Sequence, residues 1–361
     1  MHKIYKYRPL SDFLFKELYY QELYFASYEE LNDPLDLSAR IDFTPEKEEY
    51  IEYMLWFIFK TSIFLLISET PTAEAKKNIQ KIRLLNENEE LKNKLKKAVY
   101  SELVKQKEKH SFISFNMLET VLRRVSNEQD IDFPVDFNSF KNELQRLTKT
   151  FLEKSYTTSF SEVNDDFLMW SHYSSKHTGV CLEFTLSKKG LFPYELKLPR
   201  KPNLEEYEKR LSEHQVEEHI YWDRISKVRY QNEQPFINFF EFSAVFENEG
   251  DCDLMGLSKG RWHGYAFELE MIFATKTSPW KYEKEWRAIQ INFGNPQIPE
   301  ERIRHYPIEA LSSIYFGVRT PADVKKRISE IFKHKHSEIK FFDCKLSNGR
   351  ELSFEEWVDD E

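Results

Sequence analysis

Two carboxylates and a guanidinium recur at alternate positions in the run SPWKYEKEWRAIQI, residues 278 to 291: Glu283, Glu285 and Arg287. The segment YEKEWRAIQI reads as a strand once Pro279 has ended the preceding element. Alternation then puts the three charged groups on one face, with Trp286 and Ala288 on the other. Such a row is costly to bury without partners. Lining a cleft, Glu285 would be a positioned base or an electrostatic stabiliser. Facing water, the row is an ordinary solvated ladder in which Arg287 offsets the acids. Both readings stand at this point.

Three other groups of residues could share chemistry with that row. Arg8 ends the strand-like segment KIYKYR just before Pro9, and its planar fork suits phosphate or carboxylate; a surface ion pair is the plainer alternative. Ser159 and Ser161 share a strand face with Thr157 in YTTSFS, where small hydroxyls allow close approach of a ligand but also suit any β-edge. Trp170, His172, Tyr173 and His177 follow on a short helical turn, and Tyr173 or His172 could stack on or hydrogen-bond a planar ligand. The two histidines stand five apart, off a common helical face, so no metal site is expected from them. Asn32, Asp33 and Asp36 in LYFASYEELNDPLD would serve a metal-dependent nuclease, yet Asn-Asp-Pro is also what a tight turn wants.

The elements that must position these residues make an α+β core, with a mixed, mostly antiparallel sheet. Strands are expected at 3–8, 22–27, 156–161, 179–184, 224–230, 282–291, 311–317 and 338–344. Helices are expected at 11–21, 203–220 and 267–276, and from Pro321. Between 45 and 154 glycine disappears and charges recur at helical spacing, which predicts an all-helical insertion of four or five helices splitting the core into 1–44 and 155–361. Its apolar stretch at 53–67 is interrupted by Lys60, Thr61 and Ser62 and is short for a bilayer span of about 20 apolar residues. A buried or partner-binding helix is the better reading, with no membrane role.

Composition removes several classes. The chain has 361 residues but only 9 glycines, with no GxGxxG and no GxxxxGK[ST], so Rossmann and P-loop nucleotide sites lack their main support. A net charge of −9 disfavours nonspecific nucleic-acid binding. Three dispersed cysteines, Cys181, Cys252 and Cys344, indicate neither a disulfide framework nor a cysteine zinc site. The first residues lack the apolar core of a signal peptide, and the expected setting is the cytoplasm.

The runs YKYRPL at 5–10, LYFASYEELNDPLD at 23–36, SFSEVNDDFLMWSHYSSKHTGVCLEF at 159–184, WKYEKEWRA at 280–288 and IYFGVRTPADVKKRI at 314–328 together resemble the bacterial family catalogued as domain of unknown function 2971. That name conveys no activity. More distantly, the order of a strand arginine, a Ser/Thr strand and Glu-x-Glu resembles ADP-ribosyltransferases of the Arg-Ser-Glu type. That resemblance implies NAD as substrate and no metal. Arg8 would hold pyrophosphate or ribose, and Ser159 and Ser161 would make room for the nicotinamide ribose. Trp170 or Tyr173 would stack on nicotinamide. Glu285 would bond the ribose 2′-hydroxyl, and Glu283 would orient an acceptor, either protein or nucleic acid.

Three functions are therefore expected to compete. The first is an NAD-consuming transferase or glycohydrolase, toxin-like in bacterial conflict or phage defence. The second is a non-catalytic sensor or binding module whose insert at 45–154 docks a protein partner, with a homo-oligomer left open. The third is a metal-dependent nuclease or other hydrolase using Asp33, Asp36 and the Glu pair.

Overall fold

The computed structural model describes residues 2–33, 35–37, 40–68, 73–131, 137–186, 224–240, 272–291, 297–333, 338–347 and 351–358. The chain divides into two compact units: Met1–Leu37, Glu153–Glu233 and Phe273–Glu361 form one, and Ser38–Leu152 with Gln234–Ile272 the other. The expected helix over 203–220 lies outside the described residues.

The first unit is built on a nine-stranded sheet. Its strands are β1 (His2–Arg8), β3 (Ala26–Ser27), β5 (Ser155–Ser161), β6 (Val180–Leu186), β7 (Arg224–Lys227), β11 (Glu285–Ile291), β13 (Leu311–Phe316), β14 (Lys340–Leu346) and β15 (Leu352–Glu356). The order is β15-β14-β13-β6-β1-β5-β11-β7, with β3 also on β5. β13 and β14 run parallel and the other neighbours antiparallel, as the α+β reading requires. β15 has no counterpart among the expected strands.

Alternation along these strands sends apolar residues to both faces. Ile4, Phe160, Leu182, Phe184, Ile314 and Phe316 join Leu14 and Leu18 of α1 (Asp12–Tyr20) and Ile328 and Phe332 of α8 (Ala322–Lys333) in the main core. Tyr7, Cys181 and Tyr315 pack with Met169 and Trp170 of α7 (Phe167–Tyr173) in a smaller second cluster. Asp166 caps α7, accepting hydrogen bonds from the Leu168 and Met169 amides.

Two expectations are corrected beside the sheet. Of the helix expected over 267–276, residues 267–271 lie outside the described residues, and Thr275–Thr277 forms β10, parallel to β8 (Arg229–Gln231). The strand expected from Tyr282 begins only at Glu285; Ser278–Glu283 forms a 3-10 turn that opens with Pro279. Proline suits the first turn of a helix, where its missing N–H loses nothing.

The second unit holds α2 (Glu49–Ser68), α3 (Ala73–Glu87), α4 (Glu89–Lys107), α5 (Phe115–Glu128) and α6 (Phe137–Leu152). It also holds a two-strand parallel pair, β4 (Arg40–Asp42) with β9 (Phe236–Asn238). Phe43, Phe57, Phe140 and Phe239 meet in its core. Among the described residues, no helix is long and apolar enough to cross a membrane.

Candidate active site

A parting between two central strands creates the site. β1 and β5 are paired at Tyr5 and Ser161, whereas β3 takes the far end of β5, pairing Ala26 with Thr157. Between those points the backbone of β5 is open, and a cleft of about 380 Å³ occupies the gap. Successive residues of both strands, Tyr5 to Arg8 and Thr157 to Ser161, line it, so it reaches both faces of the sheet. Asn32, Asp36, Lys276, Glu283 and Glu285 complete its polar wall, with His172 and Tyr173 from α7.

The charged groups form one network around Arg287, which is 1% exposed. Its Nη1 and Nη2 donate to the two Asp36 oxygens at 2.7 and 2.6 Å. Its Nε and Nη2 donate to the two Glu285 oxygens at 2.7 and 3.0 Å, and Nη1 also reaches the Phe273 carbonyl at 2.8 Å. A guanidinium has five N–H donors, and all five are used. Arg287 therefore holds the two carboxylates in place and has no donor left for a ligand.

Lys276 closes the network. Its Nζ lies 2.8 Å from Glu283, 3.4 Å from Glu285 and 3.6 Å from Asp36. The Trp280 ring lies over the same ammonium, 4.5 Å away. Burial alone would lower its pKa, but Glu285, Glu283 and Asp36 outweigh that and hold it above the ordinary lysine value. Three carboxylates thus face two cations, leaving one excess negative charge when all are ionised.

The two glutamates are driven apart. Burial would lift Glu285, but Arg287, Lys276 and the Ser159 hydroxyl hold it down to about 2. Burial lifts Glu283 against the pull of Lys276, Glu285 pushes it further, and it ends above the ordinary carboxylate range. Tyr173 donates its hydroxyl to Glu283 Oε1 and accepts from Asn32 Nδ2 at 2.9 Å. One cleft thus holds a carboxylate kept ionised beside one whose proton affinity is raised, the pattern that assigns distinct roles to paired acids.

The local backbone makes this pairing. Lys284 adopts a left-handed conformation, φ 44, between the 3-10 turn and β11, so Glu283 and Glu285 both reach Lys276 from different elements. Ser161 Oγ donates to the Glu283 carbonyl at 2.7 Å and fastens the turn, while the buried residue also lines the cleft. Ser159 lines the cleft beside Glu285.

Other expected site residues are distributed less evenly. Arg8 lines the cleft and donates through Nε and Nη2 to Glu17 of α1, the ion pair that was the plainer reading; β1 lies between β6 and β5. Trp170 is corrected: it is 0% exposed, donates to the Asn164 carbonyl at 2.6 Å and packs against Tyr7, so the cleft does not include it. Asp33 accepts from the Leu35 amide and closes its own turn, away from the cleft. Asp36 belongs to the network, Asn32 to Tyr173. His172 is exposed at the rim.

Sequence reading missed Lys276 and Lys6 as cleft residues, and also a left-handed turn. Ser175, Lys176 and His177 have φ of 46, 56 and 70. Each left-handed non-glycine residue costs roughly 1–2 kcal/mol, so tertiary contacts must hold them. Those contacts are the His177 N–H to Trp170 carbonyl bond and the Arg319 N–H to His177 carbonyl bond. No glycine in SSKH signals this turn; the only cue is the flanking Gly179, where a Cβ would lie 2.1 Å from the Arg8 carbonyl oxygen.

No curated protein and no solved structure matches this chain. Residues 169–288, which include most of α7, all of β6, Lys276 and the whole Glu283–Arg287 row, match the family described as Protein of unknown function (DUF2971).

Proposed function

We propose that the protein cleaves the nicotinamide–ribose bond of NAD, transferring ADP-ribose to an acceptor or to water. One observation carries this reading: two buried carboxylates of opposed proton affinity share one cleft. Breaking the C1′–N bond sends its electron pair to the pyridinium nitrogen and leaves an oxocarbenium-like ribose. Glu285, held ionised by Arg287, stabilises that cation and suits the ribose 2′-hydroxyl. Glu283 accepts the proton of the nucleophile that attacks C1′, and Tyr173 positions it. The ionised Glu285 favours the cationic nicotinamide, whose ring finds Tyr173 and His172 nearby. Arg8 supports the diphosphate: its Nη1 makes no hydrogen bond among the described residues.

The reading is tested by incubating purified protein with NAD and quantifying free nicotinamide. Glu285→Gln keeps the shape and removes the charge, and should lower release by on the order of 100- to 1000-fold. Undiminished release in that variant would remove Glu285 from the mechanism, and no release from the unaltered protein with any acceptor would remove the reading itself. A metal-dependent nuclease finds less support, since Asp33 accepts from the Leu35 amide, serves its own turn and does not line the cleft.

A further inference from the structure

One buried cation in the cleft has no role in the chemistry above. Lys6 is 9% exposed, and its Nζ lies 2.6 Å from Thr158 Oγ1 and 3.0 Å from the Ser159 carbonyl, bridging the gap where β1 and β5 part. Among the described residues no carboxylate lies within ion-pair distance of it. The Phe160 ring lies 5.2 Å away, and the nearest charges are Arg8 on its own strand, Glu17 of α1 and Glu285 of β11. Glu17 is already bound by Arg8, and Glu285 by Arg287. A buried ammonium in this position is destabilised by the loss of water and by the adjacent guanidinium, which together bring its pKa down to about 7. Buried charges are normally paired, so the missing partner here is an anion from outside the chain.

We propose that Lys6 and Arg8 form a receptor for the diphosphate diester of a dinucleotide. This rests on the NAD reading for the identity of the ligand, but not for the existence of the site. An ammonium has three donors; two face Thr158 and Ser159, and the third remains for a phosphate oxygen. Arg8 contributes its free Nη1. Binding then takes up a proton, because the anion raises the proton affinity of Lys6 above that of the empty cleft. Affinity must fall as pH rises, since above the empty-cleft value the proton has to be supplied from solution at increasing cost.

The probe is ADP-ribose, whose diphosphate diester does not titrate near neutrality and whose binding needs no turnover. Calorimetry on the unaltered protein in two buffers of different ionisation enthalpy should register proton uptake at pH 8. Between pH 7 and pH 9 the affinity should weaken by roughly 10- to 50-fold, given one lysine titrating near the lower value. Lys6→Met should bind weakly at every pH. Lys6→Arg, whose charge is fixed, should bind with a flattened pH profile; His172, also in the cleft, is unaltered in that variant. Absence of proton uptake in the unaltered protein, or the same pH slope in Lys6→Arg, overturns the proposal. Nicotinamide release is measured separately: cleavage without Lys6-dependent ADP-ribose binding leaves the proposed function standing, and binding without cleavage leaves the receptor standing.

Discussion

Replacing Arg287 by methionine isolates the physics on which the site depends. The guanidinium neutralises Asp36 and Glu285, whose side chains are 2% and 4% exposed, and spends all five donors on them and on the Phe273 carbonyl. Methionine fills similar space and leaves two buried carboxylates with Lys276 alone, which already serves Glu283. Removing one partner of a buried ion pair costs about 3–5 kcal/mol. The pH dependence gives an independent figure. Glu285 is held at about 2 against an ordinary 4.5, a difference worth on the order of 3 kcal/mol. Because the folded value is the lower one, this stability is present above about pH 4.5 and is lost as pH falls toward 2. Hydrogen exchange followed by mass spectrometry on peptides covering 275–291 reads this strand without requiring two-state unfolding of the whole chain. At pH 7 the β11 amides should lose about two to three orders of magnitude of protection. The acid-dependent loss between pH 4.5 and 2 should also shrink. Arg287→Lys should recover only part, since a single ammonium cannot grip two carboxylates bidentately. Protection within tenfold of the unaltered protein, with the same acid limb, would refute the claim that Arg287 holds the acids.

Three further outcomes are expected. Glu283→Gln should slow nicotinamide release by about 100-fold and remove the acid limb of the pH–rate profile, read by steady-state assays at several pH values; an intact limb would assign that proton elsewhere. The Tyr173 hydroxyl lowers the proton affinity of Glu283, so Tyr173→Phe should move that limb to higher pH; a shift to lower pH would contradict the hydrogen bond's direction. Gly317→Ala places a Cβ 2.3 Å from the His177 carbonyl oxygen and should push apart the strained turn at 175–177, lowering the melting temperature; an unchanged melt would show that turn to be easily rearranged.

Local signals in the chain determined much of this architecture. Alternation in KIYKYR, YTTSFS and LSSIYFG gives β1, β5 and β13, and helical spacing of charge gives α3 and α4. The same signals offered Glu283, Glu285, Arg8, Tyr173, Asn32 and Asp36 as site candidates without deciding between a cleft and an exposed face or turn, because dense polar groups beside short strands are costly only when buried. Periodicity carries no information about pairing between distant strands, however. Only tertiary structure decided that β1 and β5 separate after Tyr5 and Ser161, which opens the cleft and turns Lys6 from a surface-like alternation residue into a buried cation. It also decided that Arg287 is consumed by Asp36, 251 positions away, and so positions carboxylates instead of touching substrate. Trp170 illustrates the same limit: an amphipathic ring on a polar turn suits a ligand or a core equally well, and its neighbours chose the core. Proton affinities and long-range ion pairs depend on distance in space, to which spacing along the chain is blind.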